Sequence, residues 1–512
     1  MNRIAIWIIL VAAGTTSWAQ QTAVPRIDLM PDLPSPLVMR DWKSVVLGYD
    51  SLAFNEGVSG AYLPVVTVVP NGVNFPFSPA FRIHPYVGTN YPSISEAINA
   101  LPALVGATLA GHDMRTFFGR DWVTMSRDWF NNRPAENVYL NGPVVTSGDD
   151  WWYETMPNVF FYQLSSLYPP SAEVDRQFRL VADRWWTASR AMGGRIAPWS
   201  TPGFSHRAWR LSTMTANDVG VPEPEAAGAI GWIMYAAFVT TGEPRYRVGA
   251  EWAMDALNAL SSNPSYELQL SYGVQTAARM NAELGTNYDL AKLLGWCFDV
   301  GPLRSWGAIV GSRGGRDYSG LIGEVNGVND YAFALNTFQQ IAALAPVARY
   351  DERFARALGK WILNASNAAR MFYSSYLPDS LQDGRAWARN NDPRSVVAYE
   401  ALRQSVQGAG PFATGDAMAG GWAATNLSLY SSSSVGYLAA VVDSTDVPGI
   451  LRLNLLTTDF YRAPAYPTYL LYNPYSETRS VTLAVGDSLT NIYDVVTNTN
   501  LASLVSGASS IV

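Results

Sequence analysis

Residues 223–246 read EPEAAGAIGWIMYAAFVTTGEPRY, and the fold is decided in this stretch. From Ala226 to Val239 it is apolar all round, yet shorter than the roughly 20 residues needed to cross a bilayer. It therefore predicts a helix buried on every side. Gly242 and Pro244 then end that helix and open another, because glycine tolerates a left-handed turn and proline suits a first helical position. The helix that follows is amphipathic and carries Trp252.

The same order recurs along the chain. Turns with tyrosine beside Pro, Asp or Glu stand at "SLYPPSAEVD", "TTGEPRYR", "GTNYDLAK" and "VARYDERF", and each leads into a helix bearing Trp185/Trp186, Trp252, Trp296 or Trp361. From Asp351 to Tyr373 an apolar stripe of Phe354, Leu358, Trp361, Ile362, Ala365, Ala369 and Phe372 opposes Arg353, Arg356, Lys360, Asn364 and Asn367. That pattern predicts a half-solvated helix. Ser93 and Glu96 read as a capping box at the start of the helical region, and Asp392-Pro393 as a stop near its end.

Alternating buried and half-exposed helices are what two concentric layers of helix pairs require, and five or six pairs fit into residues 93–410. In this layout, and in the phrase quoted above, the chain resembles the six-hairpin α/α toroid superfamily of glycosidases and polysaccharide lyases. The resemblance covers about 300 residues. It implies a mainly α fold, an (α/α) toroid of about six hairpins with a catalytic cleft at one rim; an open helical solenoid is the competing layout.

Other segments are read from their texture. Met1–Ala19, with Arg3, an apolar run from Ile4 to Ala13, and Ser17-Trp18-Ala19, has the pattern of a secretory signal, so a secreted or periplasmic protein is expected. Residues 20–92 are proline-rich, with brief strands such as "LPVVTVVP", and should wrap the helices. From 411 to 512, β-type runs ("VGYLAAVV", "ILRLNLL", "TYLLYN", "SVTLAV", "NIYDVV") predict a C-terminal β-sandwich. The chain stops at Val512 within such a run, as a truncated domain would.

Composition narrows the function. Among 512 residues 48% are hydrophobic and 15% charged, with 18 Trp, 27 Tyr and 19 Phe, so a large aromatic core is expected. A net charge of −7 without a long basic run argues against nucleic-acid or anionic-membrane partners. The single cysteine, Cys297, excludes a disulfide framework, and three histidines make a histidine metal site improbable. Neither a metal nor a cofactor is expected.

Segments leading into the buried helices are long, notably Gly193–Pro222 and the glycine-rich Gly301–Asp330, and should share one rim. They carry the candidate chemistry, among it the carboxylates Asp149, Asp150, Glu154, Asp218, Glu223, Glu225, Glu267 in "SYELQLSYG", Asp317, Glu324 and Asp330. Glycoside hydrolysis needs one carboxylic acid to protonate the leaving oxygen and one carboxylate to activate water or attack the sugar. "DDWWYE" (149–154) places acids among aromatics that raise a carboxyl pKa by drying it. Glu154 and Glu223 are the preferred catalytic pair, with Glu324 as substitute. Asp150, Trp151, Trp152, Tyr153, Glu225, His206, Trp209, Asp317, Tyr318 and Asp330 are candidate substrate contacts. Bland roles compete with these: helix capping for Asp149, Glu223 and Glu225, and loop ordering or calcium binding for Asp317, Glu324 and Asp330. Aromatic faces and carboxylates together favour a carbohydrate partner. A polysaccharide lyase using His206 or Tyr318 as base, and a glycan-binding protein without catalysis, are the alternatives.

Overall fold

The computed structural model describes residues 4–11, 20–90, 95–133 and 136–512. Helices are the most extensive element among the described residues, with a separate C-terminal region rich in antiparallel strands. Helix Ala226–Thr241 is buried along nearly its whole length, as its composition predicts. Its neighbours form a cycle. Ala97–Ala110 packs on Trp151–Leu167, which packs on Ala226–Thr241, then Gln269–Leu284, then Ala334–Leu344. The broken helix Leu429–Ser433/Val435–Val441 follows and returns the contacts to Ala97–Ala110.

Glycines allow the closest approaches in this cycle. A Cβ on Gly436 would meet the Gly106 Cα at 2.2 Å, and one on Gly273 would meet the Gly228 Cα at 2.9 Å. Any larger residue at either crossing would push two helices apart. Outside the cycle, Trp42–Ala53, Ala172–Ala191, Pro244–Ala259, Leu290–Trp296 and Ala355–Ala369 lie against these helices. Trp185, Trp252 and Trp361 on them are fully buried, and Cys297 is buried beside Ser271. All four tyrosine-containing turns connect an inner helix to its outer partner.

Several expectations are corrected. Ala355–Ala369 is not half solvated: Lys360, Asn364 and Asn367 are buried because they donate to the backbone carbonyls of Asp28, Pro31 and Pro36. The irregular segment around residues 20–40 thus lies along that helix, and its unpaired carbonyls use the polar stripe. Trp42–Ala53 is a helix within the segment read as irregular, while Val66–Val69 pairs with Ala80–Ile83 as a short hairpin. "VGYLAAVV" is helical at Val435–Val441, so the helical part extends past residue 410.

The C-terminal strands form one sheet and not a sandwich. Its order is Val442–Ser444, Leu451–Asn454, Thr468–Tyr472, Ile4–Val11, Val481–Asp494, Thr499–Ile511. Ile4–Val11 runs parallel to both of its neighbours. Arg3 and Ser17-Trp18-Ala19, the flanks of the expected signal, lie outside the described residues, as does Ser93 of the capping box. No helix among the described residues is long and apolar enough to cross a membrane.

The glycine-rich segment is a sheet, not a loop. Trp306–Ala308, Ile322–Glu324 and Tyr331–Phe333 join Ala401–Arg403 and Phe412–Thr414 in a five-stranded antiparallel sheet. It stands just before the N-terminus of Ala334–Leu344. At the other end of the helices, residues 457–462 from the C-terminal region close over the helix C-termini. There Arg279 donates to the carbonyls of Phe460 (3.1 Å) and Tyr461 (2.7 Å), and Arg349 and Tyr350 both donate to Asp459 at 2.8 Å. Cations at helix C-termini are favoured by the backbone dipoles.

Candidate active site

A cleft of about 620 Å³ opens over the N-termini of the inner helices. Glu96 and Ile98 enter it from the start of Ala97–Ala110, Trp152 and Tyr153 from Trp151–Leu167, and Glu267 from just before Gln269–Leu284. Leu335 and Asn336 come from Ala334–Leu344, and Tyr430 from Leu429–Ser433. The five-stranded sheet supplies Arg304, Trp306, Phe333, Glu400 and Asp416 from its strands and their ends, and Tyr86 and Trp422 complete the aromatic wall.

Four carboxylates line this cleft. Glu96 is the N-cap of its helix, not the third residue of a capping box; its side chain makes no cap bond and instead accepts from Asn141 Nδ2 at 3.0 Å. Burial, reinforced by the nearby charge of Glu400, raises its pKa, with the Asn141 bond opposing. Glu400 accepts from the hydroxyls of Tyr86 (3.1 Å) and Tyr430 and from Asp416 N at 2.8 Å, and burial raises its pKa too. Glu267 is also raised by burial, but it is ion-paired with Arg304, which favours its charged form. Asp416 is the most exposed of the four, with 55% of its side chain accessible.

Glu96 and Glu267 belong to helices three places apart in the cycle of six, so they approach the cleft from opposite walls. Among the described residues lining it Arg304 is the only cation, and it is already engaged by Glu267 and Glu324. Its guanidinium also lies 5.1 Å from the Trp306 ring and 5.3 Å from that of Tyr266. The same Tyr266 ring lies 5.8 Å from the guanidinium of Arg207, which bridges Asp150 and Glu223. Two arginine-centred ion triads therefore adjoin one tyrosine beside the cleft.

Neither member of the pair preferred from the sequence lines the cleft. Glu154 is 2% exposed and does not line the cleft. Its oxygens accept backbone N–H groups from Gly148, from Asp149 at 2.8 Å and from Trp209 at 3.0 Å, which ties the segment before its helix to the strand Ala208–Arg210. Burial nonetheless pushes its pKa up to about 8, against those bonds. Glu223 is fully buried under Arg207; burial, with the charges of Asp150 and Glu267, pushes it up to about 10. Glu324 pairs with Arg304 at 2.8 Å behind the cleft.

Of the expected substrate contacts, Trp152 and Tyr153 line the cleft. The others have structural partners. Asp150 caps Trp151–Leu167 through Trp152 N at 2.8 Å, Trp151 and Trp209 are buried, and Glu225 accepts from Glu267 N. His206 sits against Asp218 at 2.6 Å, Tyr318 is 3% exposed, Asp317 accepts from Ser319 N, and Asp330 accepts from Gly327 N. The helical turn explains the split: Trp152 and Tyr153 face the cleft, while Trp151 and Glu154, on either side of them, are turned away. Reading the sequence for aromatic-flanked acids thus missed Glu96, Glu400 and Asp416. Glu96 does stand out in the sequence as a helix-start acid, but the capping-box reading accounts for it without a site role.

Among the described residues no group of three or more His, Cys, Asp or Glu side chains is placed to hold a metal ion. No protein-family model and no curated protein matches the chain.

Proposed function

We propose that the chain is an exported glycoside hydrolase acting on an uncharged poly- or oligosaccharide, built as an (α/α) toroid of the six-hairpin type. Glu96 is the general acid and Glu267 the base or nucleophile. The cyclic order of inner helices and their outer partners supports the architecture. The observation that carries the function is the pair of carboxylates on opposite walls of an aromatic cleft, one without a cation and raised by burial, the other paired with an arginine. A carboxyl whose neutral form is favoured by burial and a partner whose charged form is favoured by an arginine are suited to the two roles that glycosidic cleavage needs. Trp152, Tyr153, Trp306 and Trp422 offer flat apolar faces for sugar rings.

The lyase alternative has less support. Removal of a proton beside a uronate carboxylate requires that carboxylate to be neutralised, and Arg304, the only cation among the described lining residues, is occupied by two glutamates. His206 and Tyr318, the bases expected from sequence, do not line the cleft.

The test is incubation with neutral and uronic-acid polysaccharides, following reducing ends and near-ultraviolet absorbance together. Reducing ends without absorbance are expected on a neutral polymer. Absorbance rising on a uronate polymer, the mark of an unsaturated product, overturns the hydrolase in favour of the lyase.

A further inference from the structure

We propose a second carbohydrate-contact surface, separate from the cleft, at the tip of the loop following helix Ala172–Ala191, with Trp199 as its platform. Arg195 and Ser200 bond each other's backbone twice, N to O at 3.0 Å in both directions, which closes Ile196–Trp199 into a hairpin tip. Every residue of that tip is exposed, Ile196 at 59% and Trp199 at 45%. Two large apolar side chains are thus presented to solvent side by side on one four-residue tip.

Trp199 is held rather than free. Its indole N–H donates to Asp255 Oδ2 at 3.0 Å, and its ring lies 5.9 Å from Trp252. Trp252 is fully buried and stacks on the half-buried Trp186 at 4.9 Å and 9°. A hydrogen bond and a tryptophan column thus fix the ring from within while nearly half of it faces solvent. Such a ring meets the C–H face of a pyranose with its rotamer entropy already lost, and Asp255 at its edge suits a hydroxyl. The loop runs on to His206, Arg207 and Glu223, toward the rim where the inner helices start. The ligand class, a neutral glycan chain, rests on the carbohydrate reading of the cleft.

The test is electrophoresis of the full chain through gels containing soluble starch, xylan or mixed-linkage β-glucan. Retardation in at least one gel is expected, with a dissociation constant about two- to tenfold weaker for Trp199→Ala. Trp199→Phe should recover part of it, and hydrolysis of a short soluble oligosaccharide should be unchanged. Ile196→Ser, which alters the tip without touching the tryptophan column, should weaken retention as well and covers the case in which Trp199→Ala fails to fold. Equal mobility of wild type and both tip variants in every gel overturns the proposal. So does a Trp199-dependent dimer in light scattering, which makes the tip a protein interface. Trp199-dependent retention without any cleavage upholds this surface and removes the hydrolase reading; cleavage without such retention does the reverse.

Discussion

The carboxylate of Glu225 accepts the backbone N–H of Glu267 at 2.8 Å, so the residue that opens helix Ala226–Thr241 fixes the one proposed to act as base on the next inner helix. Glu225 is itself fully buried. It reaches no cleft surface and acts through Glu267. Glu225→Ala should lower kcat by about tenfold or more with little change in KM, because a small displacement of a catalytic carboxylate is costly. Initial-rate kinetics on the folded variant, with circular dichroism as control, check this; unchanged kcat would uncouple the two residues.

The same buried carboxyl predicts a pH effect on stability. Burial pushes Glu225 from an ordinary 4.5 up to about 7, so the folded state holds its proton more tightly than the unfolded chain does. The stabilisation is fully present below about pH 4.5 and is lost as the pH rises toward 7. Relative to Glu225→Gln, which stays neutral, the wild type should lose on the order of 3 kcal/mol across that window. Guanidinium unfolding of both proteins at pH 4.5, 6 and 8 measures it, and a constant difference would contradict the assignment.

Glu154→Ala should behave as a structural variant. It strands the buried Trp209 N–H, at roughly 1–3 kcal/mol for a buried group left unpaired, and removes the acceptor of the more accessible Gly148 and Asp149 N–H groups. A clear fall in melting temperature is expected, with activity lost in proportion to folded protein. An unchanged melting temperature with activity abolished would restore Glu154 to the catalytic pair.

At the opposite end, Arg349→Met removes the ion pair of the buried Asp459 and leaves it the Tyr350 hydroxyl and the nearby charge of Arg279, at a cost of about 1.5–3 kcal/mol. Because this contact closes the far ends of the helices, specific activity of the remaining folded enzyme should be retained. Thermal unfolding and active-fraction assays together test that separation.

Much of the architecture is legible in the residues. The all-apolar run 226–239, Gly242-Pro244 and the four tyrosine turns report inner and outer helices because each obeys a local rule. Where a distant partner decides, the reading fails. The polar stripe of Lys360, Asn364 and Asn367 looks solvated, yet its partners are carbonyls more than 300 positions away. The short apolar run 435–441 fits strand or helix equally, and only packing against Ala97–Ala110 makes it helical. For the site, aromatic company at 149–154 is a property of the chain, whereas facing the cleft is a property of helical phase. Glu400 carries no local mark at all; the five-stranded sheet brings it to the cleft.

The most direct test is release of reducing ends from the best neutral substrate by wild type, Glu96→Gln and Glu267→Gln, with a melting curve for each. Each substitution keeps side-chain shape while removing proton transfer, so activity should fall by about 10²–10⁴-fold with the melting temperature nearly unchanged. Wild-type turnover surviving in either well-folded variant would contradict the proposed pair.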